Sequence, residues 1–148
     1  VTVEPRHEWH PLASGVELHA THWEPPAGRP EQVPWLLVHG LASNARLWDG
    51  VAEQLATLGH RVVAVDQRGH GRSSKPDVGY DMTTVADDLQ LLIDALGMTS
   101  PAVAGQSWGG NVVLELAYRN PQSVSMIACV DGGFIDLGTR FPDWDDAA

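Results

Sequence analysis

AVAGQSWGGNV, residues Ala102 to Val112, places a serine between two glycines, Gly105 and Gly109, where the hydrophobic texture of the chain changes. The run PAVAG ahead of it has no apolar–polar alternation, the pattern of a strand buried on both faces of a parallel sheet. From Trp108 to about Arg119 the spacing predicts a helix, stopped by Asn120 and Pro121. A G-x-S-x-G pattern at such a junction has a mechanical reason. The sharp turn forces the serine into a strained backbone geometry, and side chains at the glycine positions would obstruct close approach of strand and helix. Five letters alone are a weak signal; strand, elbow and helix in that order make Ser107 a candidate nucleophile. The helix points its first amides at the same corner, where they favour developing negative charge.

Working outward, WLLVHG (35–40), RVVAVD (61–66) and SMIACVD (125–131) repeat the continuous apolar strand pattern. Between the first two, Leu47, Trp48, Val51, Leu55 and Leu58 recur at helical spacing, with Ser43 or Asn44 as N-cap and Gly59 as stop. Val85, Leu89, Leu92, Ile93 and Leu96 form a second amphipathic stripe, ended by Gly97. Strand alternating with helix implies right-handed crossovers, a parallel sheet and an α/β fold. At the start, HEWHPL and ELHATHWEP flank ASGV, whose Ser14 and Gly15 suit the turn of an antiparallel hairpin. The proline-rich stretch 24–34 reads as a surface connection.

At 148 residues the expected count is one domain. A composition of 43% hydrophobic and 19% charged residues argues against disorder or a fibre. Nine basic against nineteen acidic residues, a net charge of -10, exclude nucleic acid and anionic membranes as expected partners. No apolar run approaches the ~20 residues of a membrane span, and the first residues lack the basic start and apolar core of a signal peptide. The single cysteine, Cys129, forms no internal disulfide and reads as a small core residue; with no export signal seen, the expected compartment is the cytoplasm.

Other candidates sort by chemistry. Gly40, ending the first parallel strand, lets the chain turn so that the Leu41 amide faces the Ser107 pocket. With the Trp108 amide this makes a two-donor oxyanion hole, in which loss of one donor costs roughly 3 kcal/mol of transition-state stabilisation. His39 reads as a buried histidine shaping that turn rather than as a base. DQRGHGRS (66–73) lacks the lysine of a Walker loop and opens no G-x-G-x-x-G helix, so it reads as a structural turn. His7 and His10, like His19 and His22, are three apart, a spacing that sends each pair to opposite faces of a strand; no metal and no cofactor is expected.

VHGLASNARLW, VVAVDQRGHGRSSKP and VAGQSWGGNVVLELAYRNP resemble, in order and spacing, three segments of the α/β-hydrolase superfamily, and the likeness runs from Val16 to Gly133. The resemblance implies the first six strands of a mostly parallel sheet with helices on both faces, begun by an antiparallel hairpin, with residues 1–148 the N-terminal part of the core domain up to the start of a cap. It implies Ser107 as nucleophile and Leu41 and Trp108 as oxyanion amides. A tryptophan after the nucleophile resembles haloalkane dehalogenases and epoxide hydrolases, whose nucleophile is aspartate; serine shifts the implied reaction to acyl transfer from a small ester, lactone or related carbonyl compound to water. Asp131, ending the sixth strand, is the triad acid if the chain follows haloalkane dehalogenases; many other members place the acid after a seventh strand, outside this chain, and Asp131 then caps the turn at Gly132 and Gly133. Asp136, Asp143, Asp145 and Asp146 read as solvated loop or cap-hinge residues. Family members carry the catalytic histidine after the last strand, whereas all seven histidines here precede Ser107. The expectation is therefore that a second polypeptide supplies the histidine, the remaining strands and the cap, covering an otherwise bare sheet edge. The competing expectation is a binding protein or an inactive half on the same fold.

Overall fold

The computed structural model describes residues 3–133. Asp136, Asp143, Asp145 and Asp146 lie outside the described residues. The elements are β1 (Arg6–Pro11), β2 (Glu17–Trp23), β3 (Trp35–Val38), a 3-10 turn (Ala45–Trp48), α1 (Asp49–Thr57), β4 (Val62–Val65), α2 (Met82–Ala95), β5 (Ala102–Gln106), α3 (Trp108–Arg119) and β6 (Met126–Val130). They form one six-stranded sheet in the order β1-β2-β4-β3-β5-β6. β1 and β2 pair antiparallel, β2 joins β4 antiparallel, and β4, β3, β5 and β6 run parallel.

Residues of alternate parity along the central strands feed two separate cores. Leu36, Val38, Val63, Val65 and Val103 face the apolar stripes of α2 and α3. Leu37, Val62, Ala64 and Ala104 face Ala52 and Ala56 of α1, with Trp48 and Trp23. Both faces are covered by helix, which is why the strands carry no polar alternation.

The stripe read for α1 needs correction. Leu47, Val51 and Leu58 are 49%, 46% and 63% exposed, while Ala45, Trp48, Ala52 and Ala56 are buried and Leu55 packs against them in part. Trp48 and Leu55 of the stripe do pack inward, but small residues otherwise face the sheet and let the helix lie close to it, so residue size misplaced Leu47, Val51 and Leu58. Asn44 caps the 3-10 turn through Oδ1, which accepts from the Arg46 N–H at 3.1 Å. For α2 the cap is Asp81, and Gly97 follows in the left-handed region.

The connections leaving β3 and β5 diverge. β3 leads to α1 on one face of the sheet, while β5 leads directly into α3 on the other. Adjacent parallel strands whose chains depart to opposite faces leave a crevice at their carboxyl ends, where open α/β sheets hold ligands. His39, Gly40 and Leu41 follow β3 there, and Ser107 follows β5.

Candidate active site

Ser107 is the one residue between β5 and α3, with φ 54° and ψ -124°. This is glycine territory, and holding a serine there costs roughly 1–3 kcal/mol. Surrounding contacts impose it. The Ser107 N–H donates to the Val130 carbonyl at the end of β6 (2.9 Å), and the Ser107 carbonyl accepts from the Gly110 N–H (2.9 Å). A serine before a helix ordinarily turns its hydroxyl onto an amide of the first turn; here Oγ makes no capping bond. Among the described residues nothing hydrogen-bonds to it.

Each glycine of the elbow has a neighbour where a side chain would sit. A Cβ on Gly105 would overlap the Gly109 carbonyl, and one on Gly109 would overlap the backbone of Val38 and His39. A Cβ on Gly40 would lie 2.6 Å from Gln106 Oε1 and 3.1 Å from Ser107 Cβ, which places the turn after β3 against the serine. Leu41 is exposed on that turn, and Ala42 follows in the left-handed region with φ 54°. Neither the Leu41 nor the Trp108 N–H has a partner among the described residues.

His39 is fully buried. Its Nδ1–H donates to the Gly40 carbonyl (2.6 Å), and its Nε2 accepts from the Gln67 N–H (3.1 Å), a partner set that fixes the tautomer. Burial pulls its pKa down to about 4, with the His70 charge adding to the drop and the Gly40 bond and Asp66 opposing it. Both ring nitrogens are engaged with backbone, so the imidazole braces the turn. The segment after β4 likewise spends its polar groups internally. Asp66 accepts from the Ala45 N–H (2.7 Å), the Arg72 N–H (2.9 Å) and His19 Nδ1 (2.8 Å), and Arg68 forms a forked, buried pair with Asp88 (2.5 and 2.8 Å). Sequence reasoning passed over Asp88 and Asp66; a charged residue inside the apolar stripe of α2 was the available signal for the first.

Asp131 ends β6, exposed and with φ 49°. Its carboxylate makes no hydrogen bond within the described residues, so the capping bond considered for it is not formed there. The turn is held instead by Asn111, whose Oδ1 accepts from the Gly133 N–H (3.0 Å). Gly132 lies against the Ser107 backbone, bringing the end of β6 to the serine. Cys129 is half-buried beside Gly110 rather than fully in the core.

Residues 33–148 match the family model of the alpha/beta hydrolase fold. The chain belongs to the α/β-hydrolase family. This α/β hydrolase is 37% identical over 111 residues to the soluble epoxide hydrolase of Corynebacterium sp. (strain C12), covering 74% of this chain and 38% of that one. It is 35% identical over 107 residues to a non-heme chloroperoxidase of Streptomyces lividans, covering 72% and 37%. An esterase structure from Exiguobacterium antarcticum superposes with a TM-score of 0.77 at 25% identity, covering 87% of this chain and 46% of the esterase. The chain thus spans less than half the length of each of these relatives. Among the described residues no helix is long and apolar enough to cross a membrane.

Proposed function

We propose that this chain carries the nucleophile of a serine hydrolase acting on a small carboxylic ester, lactone or related carbonyl compound. The supporting observation is the Ser107 corner, a strained turn whose hydroxyl is not spent on capping, beside the amides of Leu41 and Trp108, which have no partner among the described residues. In this reading Ser107 Oγ attacks the carbonyl carbon, the two amides hold the oxyanion, and water resolves the acyl-enzyme. Asp131, whose carboxylate makes no hydrogen bond among the described residues, takes the part of triad acid at the end of β6. Serine at the elbow favours acyl transfer, although several relatives and solved structures are named epoxide hydrolases.

The proton of Ser107 needs a base, and none of the seven histidines hydrogen-bonds to Oγ. The histidine, the cap and the strands that continue past β6 are assigned to a polypeptide segment outside these 148 residues. The exposed Met126, Ile127 and Val130 on β6 support a covering partner there. A cytoplasmic setting fits the lone cysteine.

Fluorophosphonate labelling tests the proposal. Ser107 is expected to label in the complete assembly, not in this chain alone, and never in Ser107→Ala. Labelling of the isolated chain would overturn the external base. Silence of a complete, folded assembly would overturn the hydrolase and leave a ligand-binding protein on the same scaffold.

A further inference from the structure

The hairpin at the opposite edge of the sheet brings together side chains that same-strand spacing keeps apart. His10 and His22 lie on one face, His7 and His19 on the other, and across the strands the rings meet in pairs. His10 Nε2 and His22 Nε2 are 3.1 Å apart, and each is 3.7 Å from Glu8 Oε2. Between them on the same face stands the Glu8–Ala20 pair, whose alanine leaves room for both imidazoles.

We propose that Glu8 Oε2, His10 Nε2 and His22 Nε2 form a site for a zinc-like divalent transition metal, three protein ligands with solvent completing a tetrahedron. Metal–ligand bonds of about 2.0–2.1 Å around a tetrahedral ion put ligand atoms about 3.3 Å apart, and the three edges here are 3.1, 3.7 and 3.7 Å. The donor set of two imidazoles and a carboxylate suits zinc, cobalt or nickel rather than calcium or magnesium. Arg6 Nε donates to Glu8 Oε1 (2.6 Å), orienting the carboxylate with its other oxygen toward the rings. Arg6 and Arg61 are both paired with Glu24, at 3.7 and 3.8 Å, which offsets their charge near the cluster. An open cleft of about 460 Å³, lined by His22, Arg6, Glu4 and Glu24, reaches the buried histidine from solvent. Bound there, the ion would clamp β1 to β2, away from the Ser107 chemistry.

Titration of the full chain with Co²⁺, followed by visible absorption, tests the site. One saturating equivalent with the intense bands of tetrahedral cobalt, bleached by Zn²⁺, is expected. Glu8→Gln and His10→Gln, at incompletely buried positions, each weaken binding about tenfold or more, while His7→Gln in the other histidine pair leaves it unchanged; circular dichroism of each variant reports its fold. Imidazole nitrogen resonances of the unmodified chain give an arm independent of folding, with those of His10 and His22 moving on Zn²⁺ addition and those of His7 and His19 staying. Absence of a saturable tetrahedral spectrum, wild-type affinity in His10→Gln, or loss of binding in His7→Gln would overturn the site and leave a plain hydrogen bond between two imidazoles.

Discussion

Gly132 lies flat against Ser107: a Cβ added at 132 would fall inside the Ser107 carbonyl group, among atoms that are all backbone. Relief requires the elbow itself to move. Gly132→Ala is expected to destabilise the fold by about 1–3 kcal/mol in urea titrations and to lower labelling of Ser107 in the complete assembly. Gly50→Ala is the contrast. Gly50 sits in α1 with open space around its Cβ position, and the exchange should stabilise by about 0.5–1 kcal/mol with labelling unchanged.

The backbone of Ser107 is held where only glycine is at ease. Ser107→Gly should therefore raise stability, by about 1 kcal/mol, while removing the proposed nucleophile. A fall in the urea midpoint would show that the corner is not strained.

Arg68 and Asp88 are both almost fully buried, and Ser14 Oγ donates to the same carboxylate. Arg68→Met strands that carboxylate and should cost about 3–5 kcal/mol; Arg68→Met combined with Asp88→Leu should cost much less than the two single exchanges added. A double-mutant cycle in denaturant measures the difference.

His39 ties stability to pH. Its folded pKa of about 4 lies below the unfolded value near 6.5, so on acidification the unfolded chain takes up the proton first. Stability is fully present above pH 6.5 and falls as pH drops from there to about 4, by an amount of order 3 kcal/mol. His22, also drawn down to about 4 by burial, titrates over the same window. In His39→Gln the slope of unfolding free energy against pH should shrink, with the shares of His22 and of His10, whose pKa burial also lowers, remaining.

The parallel strands, the hairpin and the limits of α3 were legible because each rests on local signals: unbroken apolar runs, Gly15 in a turn, and Asn120–Pro121 as a stop. The elbow was legible because glycine spacing records a close approach of backbones. Long-range pairings were not. His10 meeting His22, Arg68 meeting Asp88, and Asp66 gathering amides from positions 45 and 72 depend on strand register and loop path, which no short window contains. The face of α1 was legible at Trp48 and Leu55 but misread at Leu47, Val51 and Leu58, because alanine, the weakest apolar signal, is what tight helix-on-sheet packing selects.

The bond from the Ser107 amide to Val130 makes the outermost strand part of the reactive corner. Fraying of that border would release the Ser107 turn before the centre of the sheet melts. A preparation that looks intact by helix content can therefore have lost the geometry of this corner, because the Ser107 turn is anchored to a border strand rather than to the centre of the sheet.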